Sequence, residues 1–137
     1  MSNQDIVNEW LQIAYEDYSA AIHLFETMHP KPLEIVCYHC QQSVEKSLKA
    51  YLCAKNSDIP KTHELSMLCQ LCAESDRKFE GFFDACNEIE LYATRTRYPN
   101  RIEIDEPCTA RTLRQALGIY NFISERISEM FPAKKKK

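Results

Sequence analysis

Apolar residues recur along this chain at steps of three and four, the spacing that gathers side chains on one face of an α-helix. Trp10, Ala14, Asp17, Ala21, Leu24 and Met28 form the first such stripe, and Pro30 and Pro32 end it. The spacing predicts a first helix from about residue 4 to about residue 28. A second, from about residue 33 to about residue 55, carries Cys37, Cys40, Val44, Leu48 and Tyr51 on one stripe. It also sets Glu45 four residues before Lys49, the favourable order for an ion pair along a helix. Pro60 and Thr62 open a short third helix, with the threonine hydroxyl accepting a backbone N–H and Leu65, Leu68 and Cys72 facing inward. Phe79, Phe82, Cys86, Ile89 and Ala93 mark a fourth.

Tyr98-Pro99-Asn100 breaks the pattern, because a proline disfavours a helical residue before it. The polar stretch from Arg101 to Glu106 is then the longest loop expected. Pro107 suits the first turn of a last helix, in which Leu113, Ala116, Tyr120, Ile123, Ile127 and Met130 repeat until Pro132. Each helix has one apolar face to bury. The expectation is an all-α, antiparallel up-down bundle of four long helices, with the short third helix packed at one end.

Length and composition narrow this picture. A chain of 137 residues suffices for one hydrophobic core, so residues 1–132 are expected to form a single domain, with 133–137 a basic tail. Two glycines against 45% hydrophobic and 27% charged residues leave little room for sheet or disorder. The opening MSNQDIVNEW lacks a basic segment followed by an apolar one, and no stretch approaches a membrane span. A cytoplasmic protein without membrane association is expected. An odd count of seven cysteines argues for reduced thiols rather than a disulfide framework. Setting aside the four terminal lysines, Lys134 to Lys137, lowers the formal net charge from −3 to −7, so the body is acidic. Such a body lacks the broad basic face that non-specific binding of nucleic acid requires.

Three segments carry a family likeness. QQSVEKSLKAYL (Gln41 to Leu52), PKTHEL (Pro60 to Leu65) and TRTRYP (Thr94 to Pro99) stand in the order and at the spacing of HEPN domains, and the chain resembles that family over nearly its whole length. The name denotes a nucleotide-binding domain of higher eukaryotes and prokaryotes. The resemblance implies a bundle like the substrate-binding subunit of nucleotidyltransferases and a homodimer packed through helical faces. It also implies a minimal nucleotidyltransferase as partner, with toxin–antitoxin pairing as one role. A nucleotide or RNA ligand would lie in a groove near Arg95, Arg97 and Tyr98.

The residues themselves leave several readings open. Asp17 interrupts an apolar stripe, where a carboxylate is costly unless it is paired; a lysine or arginine from a neighbouring helix, or a groove or interface role, would account for it. Glu45, Lys49 and His63 offer phosphate contacts, with the glutamate orienting the lysine or holding a metal; a surface ion pair and a helix-start hydrogen bond serve as structural alternatives. Arg95, Arg97 and Arg101, with Tyr92 and Tyr98 among them, form the local cluster of basic and aromatic groups suited to phosphate and base. Cations at a helix C-terminus also have a purely structural use.

Ribonucleases of the family pair an arginine with a histidine a few residues downstream. Here His23, His29, His39 and His63 all precede the first arginine, Arg77. The expectation is therefore a non-catalytic binding module without a cofactor. A diverged ribonuclease toxin is the alternative, and nucleotidyl transfer onto Tyr98 by a partner enzyme is a further possibility. Cys37-x-x-Cys40 and Cys69-x-x-Cys72 present a second alternative, a structural zinc site, although both pairs fall on apolar helical stripes.

Overall fold

The computed structural model describes residues 1–96, 99 and 103–132. It contains five α-helices: α1 (Asn3–Thr27), α2 (Leu33–Ala54), α3 (Leu65–Ser75), α4 (Phe83–Arg95) and α5 (Glu106–Met130). The expected all-α, four-helix up-down bundle with a short additional helix is what forms. The basic tail at 133–137 lies outside the described residues.

Local chemistry sets the helix ends. Ser2 caps α1, its hydroxyl accepting from the Asp5 N–H while the Asp5 carboxylate accepts from the Ser2 N–H. Asp105 caps α5 by accepting from the Cys108 N–H at 2.8 Å, and Pro107 sits in the first turn as the sequence predicts. The third helix differs from expectation. It begins at Leu65, and Thr62 accepts instead from the Glu64 N–H in a turn ahead of it. The Leu65 N–H is taken by the Glu90 carboxylate, which ties α3 to α4.

The fourth helix is shorter than its pattern predicts. Phe79 and Phe82 lie in a 3₁₀ segment, Arg77–Phe82, capped by Asp76, and α4 starts only at Phe83. A 3₁₀ turn places residues three apart on one side, so it preserves the apolar spacing of an α-helix over this short distance. The α2–α3 loop covers residues 55–64, and the expected connector from Arg101 to Glu106 lies partly outside the described residues. Met28, expected on the α1 stripe, falls just past the helix and is exposed.

Central position distinguishes α2, which packs against α1, α3, α4 and α5. Ala14 and Ala21 of α1 and Ser43 and Ser47 of α2 are small, fully buried residues, and Ser43 Oγ donates to the Ala14 carbonyl at 2.7 Å. Asn3 Nδ2 donates to the Cys53 carbonyl, fixing α1 and α2 as antiparallel. Opposite the groove described below, Tyr51, Phe79, Phe82 and Phe122 interlock edge to face with centroids 4.6 to 6.2 Å apart.

Candidate functional site

Glu45 lies on the second helix with its side chain fully buried. A carboxylate there is tolerable only with its hydrogen-bonding capacity filled. Lys46 Nζ reaches Oε2 at 2.9 Å, Lys49 Nζ reaches the same oxygen at 3.1 Å, and His63 Nδ1 lies 3.1 Å from both oxygens. Gln41 Nε2 adds a 3.3 Å contact to Oε1. Burial alone would raise the carboxyl pKa; the hydrogen bonds from Lys46, His63 and Lys49 outweigh it and hold the group down at about 2. Glu45 is thus an ionised anchor, and the Glu45–Lys49 pair is an interior one, with only 9% of the lysine side chain exposed.

The anchor organises the loop beside it. Gln41 Nε2 also donates to the His63 carbonyl at 3.1 Å, so side chains of α2 grip His63 at both its ring and its backbone. His63 nonetheless keeps 79% of its side chain exposed. It opens onto a groove of about 900 Å³ lined by Tyr38 and Gln41 of α2, Lys61, Thr62, His63 and Glu64 of the loop, and Glu90, Ala93 and Thr94 of α4. Helix α4 ends one residue beyond Thr94, at the exposed Arg95.

The predicted residues therefore divide. His63 lines the groove, and Glu45 stands behind two of its lining side chains. Lys49 is bound to Glu45 and sits outside the lining, with its ammonium 6.0 Å from the Trp10 ring. Arg95 follows the lining residue Thr94 at the end of α4 without lining the groove itself, whereas Arg97, Tyr98 and Arg101 lie outside the described residues. Asp17 faces a different side. Its partner is His39, with Nδ1 at 3.1 Å from Oδ1, and among the described residues no lysine or arginine takes the place expected in a structural pair. Sequence reasoning passed over Gln41, Lys61 and Thr62. The available signal was a glutamine one turn before Glu45 on the buried side of α2, where an amide needs a partner.

The cysteines do something different from the proposed zinc site. Cys37 and Cys40 on α2 and Cys69 and Cys72 on α3 are all fully buried. Cys69 Sγ donates to the Phe79 carbonyl at 3.4 Å and Cys72 Sγ to the Leu48 carbonyl at 3.6 Å. Burial pushes the Cys37 thiol up to about 11 despite hydrogen bonds with Thr109 and Thr112, and it raises Cys40 and Cys72 further. Such thiols behave as small apolar residues. Among the described residues, no three His, Cys, Asp or Glu side chains converge to hold a metal ion. Among the same residues, no helix is long and apolar enough to cross a membrane.

Comparison with known proteins bears on the fold. The crystal structure of an archaeal HEPN homologue is similar to this one with a TM-score of 0.68, over 88% of this chain and 97% of that chain, at 20% sequence identity. A search of curated proteins finds no match. The model of the HEPN domain matches residues 7–129, from the first turns of α1 almost to the end of α5. By that match over most of its length, the chain belongs to the HEPN domain family.

Proposed function

We propose that this protein is a non-catalytic HEPN module that binds a nucleotide, or another phosphate-bearing substrate, in the groove between the α2–α3 loop and the end of α4. The observation that carries this reading is the groove's composition. Lys61, Thr62 and His63 supply donors for phosphate oxygens along one wall, and α4 leads from Thr94 directly into Arg95. Arg97 and Tyr98, next in sequence, are the further contacts of this reading. Glu45 acts here through His63 and Gln41. Lys49 supports Glu45, and Asp17 is assigned to the α1–α2 pairing with His39.

Catalysis is assigned to a partner, a minimal nucleotidyltransferase, with a homodimer of this chain as the binding unit and a toxin–antitoxin pair as the setting. Support for a non-catalytic role comes from the sequence: no histidine follows any arginine, so the arginine–histidine order of the family's ribonucleases is missing. The module is placed in the cytoplasm, where its thiols would stay reduced.

Two measurements test the reading. Co-expression with a minimal nucleotidyltransferase from the same genome should give a complex that survives size-exclusion chromatography, and titration calorimetry with ATP should show saturable binding lost in Arg95→Ala. Cleavage of tRNA or mRNA by the purified protein would overturn the non-catalytic assignment, and an ATP titration without heat at any concentration would overturn the groove's.

A further inference from the structure

His63 is unusual in being wide open to solvent while one ring nitrogen is bound to a fully buried carboxylate. An ionised carboxylate has acceptors only, so the nitrogen facing it must carry the hydrogen in both charge states of the ring. The other nitrogen, Nε2, then lies on the open side. In the neutral ring it is a bare acceptor; in the protonated ring it becomes a donor with a positive charge.

We propose that Glu45 is a positioning residue that locks His63 with Nδ1–H directed inward, so that Nε2 is presented to the groove and contacts an anionic phosphate group of the ligand when His63 is protonated. This rests on the reading of the groove as a nucleotide site. The charged groups around the ring are Glu45 from α2, with Lys46 and Lys49 on that carboxylate, Lys61 and Glu64 of its own loop, and Glu90 from α4. Glu90 is already engaged by the Leu65 N–H. Lys61 supplies a second cation on the same wall.

The Glu45 carboxylate also explains why the geometry is fixed. Gln41 pins the His63 backbone carbonyl from the same helix while Glu45 holds the ring, so the residue as a whole cannot leave without breaking contacts at two points. A glutamine at position 45 would offer either an oxygen or an N–H to the ring, and the lock on the tautomer would be released.

The experiment combines nitrogen NMR of the imidazole with calorimetry against ATP. In the ligand-free protein at pH 8.5, the spectrum should show a single tautomer with hydrogen on Nδ1, and Glu45→Gln, shown folded by its melting curve, should show a mixture. Hydrogen on Nε2 in the wild type, or an unchanged tautomer in Glu45→Gln, overturns the positioning role without reference to any ligand. His63→Asn retains a donor near the Nδ1 position and loses Nε2, so it should melt like the wild type while binding ATP about tenfold more weakly, a loss of about 1.4 kcal/mol. Wild-type affinity in His63→Asn overturns the phosphate contact. Absence of ATP binding at every pH overturns the nucleotide reading together with that contact, and the imidazole spectrum still decides the role of Glu45.

Discussion

The two ends of the bundle bury side chains of α2 by opposite means. At the end nearer the groove, Gln41, Glu45 and Lys49 are buried polar groups joined to Lys46 and His63, and the loop wall depends on their hydrogen bonds. At the other end Tyr51 meets Phe79, which packs on Phe82 and Phe122, with Arg126 and Asp76 paired at the rim and the Lys55 ammonium 5.9 Å from the Tyr51 ring. The aromatic end stabilises by removing apolar area from water, a term that tolerates small errors of geometry. A buried carboxylate gains little net stability even when well paired, and loses a great deal when a partner is removed. A polar cluster of this kind beside an open groove is better understood as holding a surface in place than as holding the bundle together.

The largest effect should come from the aromatic end. Phe79 is fully buried and touches three other rings, so Phe79→Ala should cost about 3–5 kcal/mol of unfolding free energy, measured by urea denaturation. The groove should lose its binding only as far as the whole fold is lost. A cost below about 1 kcal/mol would remove the contrast between the ends, because a large cavity could not then have formed.

Acid should act on the other end. The Glu45 carboxyl is held at about 2 against an ordinary value of 4.5. Its folded-state pKa is depressed, so its contribution is fully present above the unfolded-state value and is lost as the pH falls towards about 2. The wild type should lose on the order of 3 kcal/mol through this group over that window. Denaturation at a series of pH values checks this: Glu45→Gln should be less stable at neutral pH and should show a smaller loss on acidification. Parallel curves for the two proteins would show that another carboxylate governs the acid response.

How far the sequence revealed these two regions follows from what periodicity reports. Steps of three and four located all five helices, because each has one apolar face, and Phe79, Phe82 and Cys86 were recognised as interior residues even though a 3₁₀ turn replaces the start of the fourth helix. That substitution was hidden by the shared three-residue spacing. Glu45 was harder. A glutamate four residues before a lysine has the signature of a solvent-exposed pair, and only the convergence of four other helices on α2 takes it inside. The small residues Ser43, Ser47 and Ala50 on α2 were the legible hint of close packing on a second side. Of the groove's lining, Lys61, Thr62 and His63 all stand in the PKTHEL segment, yet only the histidine has a side chain that draws notice in sequence; the other two join through the path of a loop that no periodicity describes.

A smaller effect sharpens the comparison at the rim of the aromatic end. Asp76 caps the 3₁₀ segment through the Lys78 N–H at 3.0 Å and accepts from Arg126 Nε at 3.0 Å. Arg126 itself lies 4.8 Å from the centre of the Phe122 ring. Asp76→Ala removes a cap and a largely buried ion pair together, and should cost about 1–2 kcal/mol in thermal or urea unfolding. Arg126→Met keeps most of the packing on Phe122 and should cost less than Asp76→Ala. The reverse order would mean that the guanidinium–ring contact, rather than the cap, secures this corner.

The smallest stability effect belongs to the residue on which the groove most depends. With 79% of its side chain exposed, His63 buries little apolar surface, and its ring reaches a carboxylate that two lysines already serve. His63→Ala should therefore change the unfolding free energy by no more than about 0.5 kcal/mol at neutral pH. Its consequence should instead be local: with the ring gone, Gln41 alone holds the loop through the His63 backbone carbonyl, and amide hydrogen exchange in residues 58–64 should quicken while α2 stays protected. Phe79→Ala should do the opposite, raising exchange across the bundle through global unfolding. A His63→Ala protein whose loop exchanges as slowly as the wild type would place the loop's stability in Gln41 and the packing of Ile59 rather than in the polar cluster, and the two ends of the bundle would then differ in composition but not in role.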